Sequence, residues 1–267
     1  MQPEIRLIGI DLDGTLVVGA HQVSERNIRA IKAATARGVT VAIATGRPHV
    51  SAETFVERLG LHGVPIISFN GAVIRVPGDP VPLYQQPVPA DLAREVVRYC
   101  IDRRYHLHYY LGDTMYVTRV SHWALLYYRR TGLPPVPAGD MRRFDGESPI
   151  KLLICVPPDD AMDVLGEASA AFGDRVMVTR SMPEYIEFLS RDAGKGNALR
   201  WLASHLGIPM SQTMGMGDML NDLQLVEMAG FGVAMPHAQE PVKTAAQYVS
   251  DSGPEGVAEA IGKFVLA

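Results

Sequence analysis

Arg6-Leu7-Ile8-Gly9-Ile10-Asp11-Leu12-Asp13-Gly14-Thr15-Leu16 is the stretch from which the fold is read. Its apolar run, Leu7 to Ile10, leads straight into two carboxylates one residue apart and then a Gly-Thr pair. A short apolar run that ends in a turn reads as a strand buried on both faces of a parallel sheet. Open α/β sheets place their chemistry at the carboxyl ends of such strands. Two acids there concentrate negative charge at a rim of low dielectric, which is costly unless a cation neutralises it. Mg²⁺ answers that description, because it binds through one or two carboxylates plus a phosphate and keeps several waters. Gly14 lets the backbone turn sharply or approach a ligand closely. On spacing alone a second account stands equally: a capped turn in which Asp13 and Thr15 bond nearby N–H groups.

The chain on either side has the matching rhythm. Ser24 caps a helix with Ile28 and Ile31 on its apolar face, ending at Gly38. Residues 39–44 form a second buried strand, followed at once by Thr45-Gly46-Arg47-Pro48, whose proline suits the first turn of a helix towards Leu59. Residues 65–69 give a third strand, then Asn70-Gly71. This βαβαβ order is half of a doubly wound sheet. After Pro77-Gly78-Asp79-Pro80 the pattern changes. A helix over 91–104 precedes a hairpin of 106–111 and 115–120 around Gly112-Asp113, and 123–130 is helical. Pro134-Pro135-Val136-Pro137 reads as a loop; strand 150–156, helix 159–172 and strands 175–179 and 185–189 follow. From Gly194 the first pattern returns, with helices over 195–206, 220–228 and 256–266 and strands over 213–216 and 231–235. The expected architecture is α/β: a doubly wound, discontinuous core of residues 1–81 and 187–267, with a mixed α+β insert over 82–186.

Length and composition agree. With 267 residues, 47% hydrophobic and 20% charged, the chain can bury one large or two modest cores. A net charge of −4 carries no electrostatic footprint for nucleic acid. Cys100 and Cys155 have no metal-type spacing and read as the reduced, buried thiols of a cytosolic protein. The amino terminus enters the core strand almost at once, without the apolar stretch of a signal peptide. No run approaches the ~18 apolar residues of a membrane span. The expectation is a cytoplasmic protein with no nucleic-acid or membrane partner.

Three further segments carry chemistry. Thr45 joins the second strand to its helix, with Gly46 behind it. A hydroxyl beside free helix N–H groups makes an anion site, or else a plain N-cap. Lys195, in Ala193-Gly194-Lys195-Gly196, starts a helix, where the macrodipole disfavours a cation by about 0.3–1 kcal/mol. Either a carboxylate or phosphate stands beside it, or it is an ordinary surface lysine. In Gly215-Met216-Gly217-Asp218-Met219-Leu220-Asn221-Asp222, one helical turn brings Asp218, Asn221 and Asp222 to one face. Such acids repel without a cation; an acidic helix start favoured by the dipole is the other account.

Taken in order, Asp-x-Asp-Gly-Thr-Leu at 11–16, Thr45-Gly46-Arg47, Lys195 and Gly217-Asp218-x-x-Asn221-Asp222 resemble the four motifs of the haloacid dehalogenase superfamily. Ser68-Phe69-Asn70-Gly71-Ala72 and Gly232-Val233-Ala234-Met235, with a later Val242-Lys243, resemble its Cof-type branch. The insert resembles that branch's C2B cap, the substrate-specificity domain. The resemblance implies a Rossmann-like core with Asp11 as nucleophile and Asp13 as general acid/base. It implies Mg²⁺ held by Asp11, the backbone carbonyl of Asp13, and Asp218, with Asn221 and Asp222 supporting the metal shell. Lys195 would join the nucleophile to the phosphoryl oxygens, and Thr45, Gly46, Arg47, Asn70 and Asn221 would bind phosphate or substrate. The implied reaction is hydrolysis of small phosphorylated metabolites, sugar phosphates foremost, through an aspartyl-phosphate.

Two departures from the pattern touch no ligand: Pro236-His237 where Gly-Asn is common, and Met219-Leu220 where a Gly-Glu type pair is usual. A phosphomutase on the same scaffold is the nearest rival. A receiver-like phospho-switch is another, and Asp13 speaks against it. Asn70 reads equally as a hairpin turn residue. Within the insert, His106 and His108 read as a pair on an edge strand rather than a zinc site. Trp123, Tyr127 and Tyr128 read as cap core more than a sugar platform, and Glu184 and Glu187 are candidates for substrate hydroxyls.

Overall fold

The computed structural model describes residues 4–18 and 22–267 of the chain. It divides into two compact units: Met1–Gly46, Ala52–Tyr84 and Gly194–Ala267 in the first, Arg47–Ser51 and Gln85–Ala193 in the second.

In the first unit the apolar run becomes the strand Leu7–Ile10, buried at all four positions. It pairs in parallel with Thr40–Ile43 on one side and Thr213–Gly217 on the other. Phe231–Ala234 and Tyr248–Val249 extend the parallel sheet beyond Thr213–Gly217. Ile8 and Ile10 pack on one face with Ile28 and Ile31 of the helix Glu25–Ala36 and Val257 and Ile261 of the helix Gly256–Phe264. Leu7 packs on the other with Leu199 and Leu202 of the helix Lys195–His205 and Leu225 of the helix Leu223–Met228. Alternate side chains of one strand thus serve two apolar layers, which is why the run shows no polar alternation. The expected α/β doubly wound core is the observed one. Its strand order reverses between Leu7–Ile10 and Thr213–Gly217, opening a crevice at their carboxyl ends.

The expected third strand, Ile66–Ser68, joins Ala44 by an isolated parallel bridge. Its main partner is Val73–Arg75, across an antiparallel hairpin turning at Phe69-Asn70-Gly71. The helix expected towards Leu59 is two short pieces, His49–Glu53 and Val56–Leu59, interrupted at Thr54-Phe55, both poor helix formers.

The second unit is a six-stranded mixed sheet in the order Pro135–Pro137, Thr114–Val117, His106–Leu111, Lys151–Cys155, Tyr185–Ser190, Val176–Met182. The helices Ala90–Arg103 and Ala161–Phe172 cover one face through Val96, Val97, Val164 and Phe172, against Leu107, Leu152, Ile154, Ile186 and Phe188. The division falls at Tyr84/Gln85 and Ala193/Gly194, not at 81/82 and 186/187. A cut after residue 186 would sever Tyr185–Ser190, which is paired along both edges. Pro135–Pro137 is an edge strand rather than a loop, paired in parallel with Met115 to Val117. Proline is tolerated there because an outer strand leaves half its N–H positions unused. His106–Leu111, by contrast, is interior, so His106 and His108 are no edge pair.

Candidate active site

Four of the singled-out segments meet at the crevice. The Asp11 N–H still donates to the Met216 carbonyl, at 3.0 Å, so its carboxylate projects from the last rung of the ladder. The chain then closes a tight turn, in which the N–H groups of Leu16 and Val17 donate to the carbonyls of Asp11 and Leu12. Asp11 and Leu12 are buried and Asp13 is exposed. The two acids of the first motif therefore sit in different dielectrics.

Gly14 is required here. Its φ is +98°, and a Cβ on it would lie 2.3 Å from Asp218 Oδ2. Thr15 Oγ1 donates to Asp218 Oδ1 at 2.8 Å rather than to a nearby main-chain group, so the capped-turn account gives way to a bridge between two distant segments.

Lys195 is the first residue of its helix and fully buried. Its Nζ lies 2.5 Å from Asp11 Oδ1 and 2.5 Å from Asp222 Oδ1. These carboxylates answer the unfavourable placing of a cation at a helix start. Burial alone would lower the Lys195 pKa; Asp11 and Asp222 outweigh it and hold the ammonium above the ordinary lysine range. Asp222 spends its other oxygen, Oδ2, on the N–H groups of Asp218 and Met219, at 3.0 and 3.1 Å. It thereby folds the turn that presents Asp218.

Asp11, Asp218 and Asp222 are all buried, and one carboxylate oxygen from each lies within 4.8 Å of the others. Burial first, then Asp222, push Asp11 well above the usual carboxylate range, against the pull of Lys195. Burial and Asp222 likewise push Asp218 up to about 6. Three carboxylates with one ammonium leave a surplus of buried negative charge on an all-oxygen donor set. Those are the terms on which a hard divalent cation binds, so the residues present fit one. Asp13 contributes no carboxylate to this group.

Thr45 is buried at the end of its strand, its N–H donating to Ile67 O at 2.8 Å and its carbonyl accepting from Asn70 N at 2.9 Å. Gly46 follows beside Asn70, whose Oδ1 would stand 2.9 Å from a Cβ there. Asn70 has the turn role expected of it. It is a left-handed turn residue (φ +53°), and its Oδ1 accepts from Asn221 Nδ2 at 3.0 Å, joining the segment Ser68 to Ala72 to the fourth motif. Arg47, half-buried, belongs to the short segment grouped with the second unit.

Sequence reasoning missed His237, whose Nε2 lies 2.8 Å from Gly14 O and 3.7 Å from Asp218 Oδ2. The available signal was the unusual Pro236-His237 pair. It also missed Gln239, whose N–H donates to Asp218 O at 2.8 Å and whose Oε1 accepts from Leu220 N at 3.1 Å.

The family model for haloacid dehalogenase-like hydrolases matches residues 8–261, from the first strand into the last helix. The chain belongs to that family, as a Cof-type phosphatase. It is similar to YcsE of Bacillus subtilis, a 5-amino-6-(5-phospho-D-ribitylamino)uracil phosphatase, with 30% identity over 98% of this chain and 97% of that one. An HMP-PP phosphatase of Serratia proteamaculans is 29% identical over 90% of this chain and 86% of its own. The crystal structure of TM0651 from Thermotoga maritima matches with a TM-score of 0.82 at 29% identity, covering 96% of this chain and 97% of that one.

The second unit of this phosphatase holds its polar candidates differently. Glu187 accepts from Lys151 Nζ at 3.1 Å and from Ser181 Oγ at 2.7 Å, and Glu184 pairs with Arg130. His108 is buried edge-on against Tyr127, its Nε2 3.8 Å from Cys155 Sγ. Among the described residues, Asp11, Asp218 and Asp222 form the sole cluster of metal-ligating type, and His106 and His108 contribute to none. Tyr127 is buried, whereas Tyr128 is exposed and Trp123 half-buried. No helix among the described residues is long and apolar enough to cross a membrane.

Proposed function

We propose that this phosphatase hydrolyses small phosphorylated metabolites, sugar phosphates and similar monoesters among them, in a Mg²⁺-dependent reaction through an aspartyl-phosphate on Asp11. The observation that carries the reading is the buried quartet of Asp11, Lys195, Asp218 and Asp222 at the strand-order reversal. Asp11, the backbone carbonyl of Asp13, and Asp218 would hold Mg²⁺, with Asp222 and Asn221 fixing the shell around them. When bound, the ion withdraws charge from the phosphoryl oxygens and lowers the pKa of Asp11.

Lys195 favours the ionised form of the Asp11 carboxylate, aims it, and offers its ammonium to the phosphoryl group. The hydroxyl of Thr45 and the N–H of Gly46 would supply neutral donors to the same oxygens, with Asn70 and Asn221 beside them as substrate contacts, and the family resemblance adds Arg47 as a further contact. An Asp11 carboxylate oxygen attacks phosphorus in line, and the bond from phosphorus to the leaving oxygen breaks. Asp13 gives that oxygen its proton, leaving as an alcohol. A water then attacks the acyl phosphate, Asp13 takes a proton from it, and phosphate leaves with Asp11 restored. The exposure of Asp13 supports this role, because an acid that must exchange protons twice per turnover gains from contact with water. An acid in that position also favours hydrolysis over a phospho-switch, which should preserve its acyl phosphate rather than assist water.

YcsE and the HMP-PP phosphatase carry different substrates in their names, so the assay is a panel: hexose phosphates, flavin mononucleotide, 5-amino-6-(5-phospho-D-ribitylamino)uracil and HMP-PP, each with Mg²⁺. Release of inorganic phosphate is expected; isomerised sugar phosphate without release would establish a phosphomutase. Acid quenching during turnover should trap one acyl phosphate per chain, absent in Asp11→Asn.

A further inference from the structure

The loop after the strand Phe231–Ala234 is fastened to the Asp218 turn along its length. Met235 N–H donates to Gly217 O at 3.1 Å and Gln239 N–H to Asp218 O at 2.8 Å, while Gln239 Oε1 accepts from Leu220 N–H at 3.1 Å. His237 projects from this fastened loop across to the first motif, 2.8 Å from the Gly14 carbonyl. A carbonyl oxygen only accepts, so His237 Nε2 is the donor. The same N–H faces Asp218 Oδ2 at 3.7 Å. One imidazole therefore spans the two turns that carry Asp11, Asp13 and Asp218. Thr15 makes the complementary span from the other direction, to Asp218 Oδ1 at 2.8 Å.

We infer that His237 is a positioning residue of the cation cradle. Its Nε2–H fixes the Gly14-Thr15 peptide, the unit that follows the Asp13 carbonyl, against Asp218, so that the turn presenting that carbonyl and the turn presenting the carboxylate are held together. The inference rests on the Mg²⁺ reading above. His237 differs from the buried quartet in being half-exposed at 46%, so its removal leaves no cavity in the core. Without that bond the turn can shift at Gly14, whose φ is positive, and carry the neighbouring Asp13 carbonyl away from the cradle. The loss then falls on ion affinity, not on folding or on Asp11 itself.

The test compares His237→Ala and His237→Gln with the parent. The Gln amide places an N–H near the Nε2 position without an imidazole. Mg²⁺ affinity is read by calorimetry and by the Mg²⁺-induced rise in Tm, and turnover by p-nitrophenyl phosphate hydrolysis across Mg²⁺ concentrations. His237→Ala should bind Mg²⁺ about tenfold more weakly or worse, in the range for lost outer-shell partners. Its kcat should return to within about twofold of the parent at saturating Mg²⁺, and its Tm in EDTA should be unchanged. His237→Gln should recover most of the affinity. Equal Mg²⁺ affinity in parent and His237→Ala would overturn the inference, as would a Gln variant as weak as the Ala variant. A parent that binds no Mg²⁺ while Asp11 remains essential would overturn the metal reading itself, and the inference with it.

Discussion

Each unit of the molecule buries a lysine against acids, and the two arrangements have opposite meanings. In the second unit Lys151 and Glu187 are both nearly inaccessible and meet at 3.1 Å, with Ser181 on the same carboxylate oxygen. One ammonium faces one carboxylate. In the first unit Lys195 is equally buried, but three carboxylates stand around it and one of them, Asp218, takes its hydrogen bond from Thr15 instead. Charge closes locally in one cluster and is left in surplus in the other. Buried ions are costly to keep unpaired. A balanced pair can therefore be read as structure, and an unbalanced one as a place held open for something the chain does not itself provide.

The strongest way to break this contrast is to remove one acid from each cluster and compare. Asp11→Asn should reduce phosphate release to about 10⁻⁴ of the parent or lower, the order seen when a nucleophile is lost from a concerted unit. Because burial and Asp222 already oppose ionisation of Asp11, a neutral side chain there should leave Tm unchanged or higher. Steady-state kinetics with a thermal melt of the same preparation reads both. A variant that keeps turnover, or that loses both turnover and fold, would place Asp11 with the structural pair.

Glu187→Gln should do the reverse. It strands the Lys151 ammonium in the sheet and should cost about 3–5 kcal/mol, the penalty of a broken buried pair. The double variant Lys151→Met, Glu187→Leu should recover most of that loss, since well-packed apolar residues commonly replace such pairs without harm. Denaturant melts of the three proteins give the comparison. Hydrolysis of p-nitrophenyl phosphate by the folded fraction should stay within about threefold of the parent. Failure of the double variant to recover stability would mean that the pair is more than a local balance.

The two clusters were not equally legible in the letters. Asp11, Asp218 and Lys195 announce themselves because each stands where an apolar strand or a helix start makes a charge anomalous, and strand ends are where α/β sheets gather ligands. Asp222 was legible through its spacing from Asp218, though its bonds to two main-chain N–H groups were not. Lys151 and Glu187 were harder. Lys151 opens an apolar strand, where a long side chain ordinarily reaches water. Its partner is a diagonal neighbour, reached through the pairing of Leu153 with Glu187, so only the sheet register brings the two together. His237 and Gly14 are 223 positions apart, and nothing local to either predicts the bond. Pro135–Pro137 was misread because proline density argues for a loop until an outer sheet edge is available.

A pH titration sharpens the contrast with the smallest effect. Asp218 is held at about 6 in the folded chain, by burial and then by Asp222, against an ordinary carboxylate near 3.8. The folded state therefore binds more protons than the unfolded one between those values. Its stability is highest at the acid end of that window and falls as pH rises through it, by at most about 3 kcal/mol for this group. In EDTA, Asp218→Asn should lose that part of the decline between pH 4 and 7, and saturating Mg²⁺ should flatten it in the parent by favouring the ionised carboxylate. Lys151 behaves otherwise. Burial would lower its pKa, but Glu187 outweighs it and the value lies above that of an ordinary lysine. Its contribution is complete at neutral pH and is lost only far into the alkaline range, so the Lys151→Met, Glu187→Leu protein should keep the parent's slope from pH 4 to 7. A slope that followed the second cluster and not Asp218 would reverse the assignment of which lysine stands in surplus negative charge.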